Sequence, residues 1–205
     1  MYEFKEDFLD PTVERIQEIF QKEFQIANIP LIFLNECFRF TKKTIELKQW
    51  IAALTNDSRF QEDDADVLML LKDGTVLCQI IETIMPHSIN NFIRRNLKKK
   101  TALPSYFRKF DDFDLLILEN IAIFLSLSAT HFRITKPFTE TDLLINNNIV
   151  VIIEHLYEIA LQASSIKPEA PTISFLHPLF EYPHETLLIT TRYYASNLLL
   201  FPIPR

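Results

Sequence analysis

The sequence predicts an all-α protein, and three observations carry that expectation. Apolar residues recur at i, i+3, i+4 and i+7 in segment after segment. Helix-start signals stand ahead of those segments, as at Asp10-Pro11 and at Thr139-Glu140-Thr141-Asp142. The only glycine, Gly74, follows an aspartate at the opening of the most regular apolar stripe. That stretch, Leu70-Leu71-Lys72-Asp73-Gly74-Thr75-Val76-Leu77-Cys78-Gln79-Ile80-Ile81, is the one around which the chain is organised. Leu77, Ile80, Ile81 and Ile84 line one helical face, and Asp73 is placed to cap the free N–H groups at its start. Glycine weakens helices, so a chain that otherwise avoids it has a local reason for one here. Two readings fit: a missing side chain that lets another helix come close, or a plain Asp-Gly turn.

Composition bounds the rest. The 205 residues suffice for one domain with flanking segments or two very small ones. With 48% apolar residues the chain can build a sizeable core. A formal net charge of −6 argues against a general nucleic-acid binder. Cys37 and Cys78 form neither a disulfide framework nor a ligand cluster, and read as reduced interior residues. Met1 to Asp10 carries Glu3, Glu6, Asp7 and Asp10, the wrong charge for a signal or transit peptide. No apolar run approaches the ~20 residues of a membrane span: Glu119 and Asn120 interrupt one candidate, Glu154 and His155 the other. A cytoplasmic protein without a transmembrane segment is expected. A single glycine also excludes the dinucleotide fingerprint, the phosphate-binding loop and the nucleophile elbow, which each need at least two. No catalytic, metal or cofactor residues are expected.

The elements follow in order. Asp10-Pro11 starts an amphipathic helix through Val13, Ile16, Phe20 and Phe24, ending near Ala27 before Asn28-Ile29-Pro30. Leu31 to Phe40 is strongly apolar and fits either a helical turn or an extended piece. Leu47, Trp50, Ile51 and Leu54 mark a helix from about Lys43 to Leu54, with the only Trp on its buried face. Asn56 to Asp66 is an acidic loop without calcium-loop spacing. The helix entered at Asp73-Gly74 runs to about Met85. Beyond it comes the only basic cluster: Arg94, Arg95, Lys98, Lys99 and Lys100, then Arg108 and Lys109. It reads as a soluble connection or as a contact for an acidic protein surface or anionic head groups. Phe113 to Leu125 gives a long central helix from about Asp111 to Ser128. A capping box at Thr139 to Asp142 opens a short helix. Ile149, Ile152, Ile153, Leu156 and Ala160 define a last core helix, closing near Ala163. His131 and His155 read as structural. From Ser164 prolines punctuate short apolar runs, which suits extended segments or a linker.

The order of these elements resembles a calponin-homology domain over roughly Thr44 to Ala163. The matching residues are Trp50; Leu71-Lys72-Asp73-Gly74 with Leu77, Cys78 and Ile81; Pro86-His87-Ser88-Ile89; Leu118-Glu119-Asn120-Ile121 with Phe124; and Asp142-Leu143 with Asn147-Asn148-Ile149-Val150. It is most similar to the single-copy type of calponin, Vav and IQGAP-like proteins. There are departures: Pro86-His87-Ser88 stands where the family usually has Pro-Gly-Ser, Ala129-Thr130-His131 replaces a loop that often holds glycine, and the connection from Ile93 to Lys109 is longer than usual. The resemblance implies a compact helical bundle over 41–163; outside it lie a 1–40 helical extension and a Pro-rich, partly extended 164–205 tail. It implies a non-catalytic protein-interaction module of the actin cytoskeleton or Rho-type signalling, of a single-copy type that often binds actin only weakly alone; the basic cluster adds a charge that suits the acidic surface of filamentous actin. Alternatives are a tubulin adaptor using the same cluster, or one end of a larger guanine-nucleotide exchange factor.

Overall fold

A computed structural model describes residues 10–26, 28–91, 112–176 and 180–199. Its regular elements, numbered here in chain order, are α1 (Pro11–Phe24), α2 (Leu31–Thr55), a 3-10 turn (Ser58–Gln61), α3 (Val67–Leu71), α4 (Thr75–Ile84), α5 (Asp112–His131), α6 (Glu140–Leu144), α7 (Ile149–Ile166) and α8 (His184–Leu199). There is no strand among the described residues, and the all-α class holds. The chain forms two compact units, Ile45–Phe175 and the flanking Met1–Thr44 with Leu176–Arg205.

In the larger unit α4 packs on α5, α6 on α7, and α3 on α4. Its core holds Leu47, Ile51, Leu71, Leu77, Ile121, Phe124 and Leu156. The capping box is formed as expected. Thr139 Oγ1 accepts from Asp142 N–H at 3.3 Å, and Asp142 Oδ2 accepts from Thr139 N–H at 2.9 Å. By length and composition α7 could cross a membrane, yet Ile152, Ile153, Leu156, Ile159 and Ala163 are buried in the protein core.

The smaller unit joins α1, the first part of α2 and α8. Asp10 Oδ1 accepts from Thr12 N–H at 2.8 Å, and Pro11 fills the first turn of α1. The helix stops at Phe24, earlier than expected, where Gln25 turns left-handed with φ 57°. Val13, Ile16 and Phe20 are buried, and α1 packs on α8.

Two elements go beyond the sequence reading. The stretch Leu31–Phe40 is helical and continuous with the segment from Lys43, so one helix of 25 residues spans both. Thr41 and Thr44 do not break it, because their hydroxyls donate to the Cys37 and Phe40 carbonyls, at 3.0 and 2.8 Å. The tail has no regular structure over 171–176, but beyond Pro183 it forms α8. Pro183 opens that helix: its carbonyl accepts from Leu187 N–H at 3.0 Å. Proline lacks an N–H, which the first turn of a helix does not need.

Candidate partner-binding site

The basic residues Arg94, Arg95, Lys98, Lys99, Lys100, Arg108 and Lys109 lie outside the described residues. The sequence-predicted motif residues can be placed. Trp50, Leu71, Leu77, Ile81, Ile121 and Phe124 are all buried, Trp50 at 2% exposure. Asp73, Gly74, Cys78 and Asn120 meet where α4 begins against α5.

This crossing is built atom by atom. Asp73 Oδ1 accepts from Thr75 N–H at 2.8 Å, so the carboxylate caps the first turn of α4. Gly74 has φ +72°, a left-handed backbone that disfavours any Cβ. A Cβ there would also stand 2.7 Å from Asn120 Cβ and 3.1 Å from Ile121 N. Both readings of this glycine therefore hold: it is a turn and a close approach. Asn120 secures the junction, its Nδ2 donating to Asp73 O at 3.1 Å, while Cys78 Sγ–H donates to Asn120 O at 3.3 Å.

At the other end of α4, His87 adopts a left-handed φ of 68° despite its side chain. Glu82 holds this turn. Its Oε1 accepts from His87 N–H at 2.6 Å and its Oε2 from Ile89 N–H at 3.2 Å.

The acidic loop is anchored from beneath by a residue the sequence reading passed over. Lys48 is 6% exposed, and its Nζ donates to the carbonyls of Glu62 at 2.7 Å and Ala65 at 3.4 Å. Burial lowers its pKa, and the surrounding carboxylates of Asp63, Asp64, Glu62 and Asp66 oppose that shift. Asp57 and Asp66 cap the 3-10 turn and α3. The loop is thus a tied structural connection. Among the described residues no group of three or more metal-ligating side chains comes together.

The reactive side chains are in neutral, engaged states. Burial pushes the Cys78 thiol up to about 11, away from thiolate chemistry at neutral pH. In the smaller unit burial pushes Cys37 up to about 12. His155 is fully buried in α7. Its Nδ1 accepts from Phe138 N–H at 3.2 Å, which leaves Nε2 to carry the proton toward Ser128 Oγ, also at 3.2 Å. Burial lowers its pKa to about 4, with Glu158 opposing. It is a core hydrogen-bonding residue, neutral at pH 7. His131 is exposed at the end of α5.

Comparison with known families decides the identity of the larger unit. The family model of the calponin homology (CH) domain matches residues 41–165, more than half of the chain, in a single copy. The chain belongs to the calponin homology family. CH domains are non-catalytic protein-binding modules, generally tied to actin and the cytoskeleton. No curated protein and no solved structure matches the chain. The Leu71-Lys72-Asp73-Gly74 element, which forms the α4 entry just described, lies within the matched residues. The hydrogen-bonding roles of Lys48 and Trp50 were not legible, because each depends on a carbonyl at least 14 residues away along the chain.

Proposed function

We propose that this protein is an interaction module of the actin cytoskeleton or of Rho-family signalling, acting in the cytoplasm, with filamentous actin as its partner. The CH domain is residues 41–163, with 1–40 and 164–205 as flanking segments. The observation that carries this reading is the single-copy CH match over 41–165. The Gly74 crossing supports it, since its polar atoms are used to hold helices together and leave no reaction centre there. The cluster Arg94, Arg95, Lys98, Lys99, Lys100, Arg108 and Lys109 is the proposed contact. It concentrates positive charge on a chain of net charge −6, which suits an acidic filament surface.

The test is co-sedimentation of the full chain with filamentous actin at low and moderate salt. Pelleting that weakens with salt is expected, because contacts between exposed charges are screened. Replacing Arg94, Arg95, Lys98, Lys99 and Lys100 with Ser should abolish it. Absence of pelleting at both salt levels removes actin as the partner. The same cluster would equally suit acidic tubulin tails, so microtubule pelleting by a chain that leaves actin in solution would move the assignment to tubulin. A role as the regulatory end of a larger exchange factor would show as altered nucleotide exchange when the chain is added to such a domain.

A further inference from the structure

Trp50 is the only tryptophan in the chain, and its indole is nearly sealed from solvent. Its Nε1–H does not point to another part of the family-matched segment. It donates to the carbonyl of Pro171 at 2.7 Å. Pro171 lies beyond the CH match, which ends at residue 165. A second bond joins the same outlying stretch to the domain: Lys167 Nζ donates to Thr83 O, near the end of α4, at 2.8 Å. Ala170 and Ile173 are buried, while Pro168, Glu169, Thr172, Ser174 and Phe175 are exposed. Phe175 is 71% exposed.

The way this segment is held matters. From Pro171 to Phe175 it is neither helix nor strand, and no described backbone–backbone hydrogen bond involves these residues. Its described polar attachment to the CH domain is one indole and one ammonium, each giving a hydrogen bond to a carbonyl. Pro168 lies in a turn closed by Ala170 N–H donating to the Lys167 carbonyl at 2.9 Å, and Pro171, with φ fixed near −65° and no N–H, follows it at little ordering cost. An aromatic ring whose N–H meets a proline carbonyl in a segment without regular structure is the chemistry by which proline-rich peptides are recognised elsewhere.

We propose that residues 167–175 form a releasable strap over the Trp50 face of the CH domain, and that this face takes an extended, proline-containing segment of a partner protein when the strap lifts. The strap is the bound ligand in cis, and a partner strand would reuse the indole donor and the site of the Ile173 side chain. The proposal stands apart from the actin reading, which concerns the basic cluster.

The test uses the full chain and its single Trp. Ile173→Asp removes the buried anchor of the strap and leaves Trp50 in place. The expected result is red-shifted Trp50 emission and a moved indole N–H resonance, with far-UV helix signal and the unfolding midpoint little changed. A labelled synthetic peptide of residues 167–176 should then bind this variant about tenfold more tightly than the wild type, whose own strap competes for the site. Binding should restore the blue-shifted emission. Unchanged Trp50 signals in the variant would overturn the strap, and shifted signals without peptide binding would overturn the partner site. Should Ile173→Asp fail to fold, Lys167→Met and hydrogen exchange on the wild type decide the matter. The amides of 172–175 must exchange far faster than those of α4 and α7, and Lys167→Met must bind the peptide more tightly than wild type. Failure of either refutes the proposal.

Discussion

The two ends of α4 each carry a left-handed residue, and they solve the same backbone problem differently. At the N-terminal end it is Gly74, with φ +72°. Just past the C-terminal end it is His87, with φ 68°. The backbone angles are nearly equal, yet one position holds glycine and the other a large side chain. Dihedral preference alone therefore does not explain Gly74. What separates them is space. Gly74 is buried beneath α5, and a Cβ there would stand only 2.7 Å from Asn120 Cβ. His87 is exposed, and the Glu82 carboxylate clamps its turn through two backbone N–H groups. A left-handed turn with room can be held by a neighbouring acceptor, whereas a left-handed turn under a helix needs the absence of a side chain.

The comparison can be broken most severely at Gly74. Gly74→Ala adds a strained left-handed alanine and a contact that α5 must shift to relieve. We expect a loss of about 3 kcal/mol in urea unfolding. A loss below about 1 kcal/mol, the cost of backbone strain alone, would show that the helix approach is not the constraint.

The next effect comes from acid, and it acts on the buried histidine. His155 has a folded pKa of about 4, below its ordinary 6.5. The unfolded state therefore binds more protons between these values, so stability is full above pH 6.5 and declines as pH falls. Between pH 7 and 5 the loss should be about 2 kcal/mol. In His155→Gln, urea midpoints over that pH range should be nearly flat. A wild-type slope retained in that variant would assign the acid sensitivity to other groups.

Smaller effects sharpen the contrast at the C-terminal turn. Glu82→Ala removes both acceptors from the His87 turn and should lower stability by about 1 kcal/mol. His87→Gly should do the reverse, raising the melting temperature slightly through roughly 0.5–1 kcal/mol of relieved strain. If glycine there destabilises, the His87 side chain contributes something that its exposure does not suggest.

The same logic explains what could be read in advance. The Asp-Gly entry, the Thr139 capping box and the α7 stripe were legible because each is set by residues within one or two turns. The helix across Thr41 and Thr44 was not. The short apolar run Leu31 to Phe40 fitted helix or extended chain equally by periodicity, and in the folded chain the Thr41 and Thr44 hydroxyls bond to i−4 carbonyls within one continuous helix. Pro183 looked like a further breaker in a punctuated tail, but it sits at the one end of a helix where proline is welcome. In the smaller unit, Thr41 Oγ1 lies 2.8 Å from Thr190 Oγ1 and Cys37 Sγ–H donates to Thr191 Oγ1 at 3.8 Å. Those pairings join positions about 150 residues apart, and spacing along a chain carries no sign of them.

By itself the sequence determined the helical class, the family pattern and the special position of Gly74, because periodicity, capping and the scarcity of glycine are local properties. Only the tertiary structure decided which carbonyl the Trp50 indole meets, how Lys48 ties down the acidic loop, and why His155 is neutral. Each of these depends on burial next to a distant segment, and desolvation and hydrogen-bond partnership exist only once the chain has folded back upon itself.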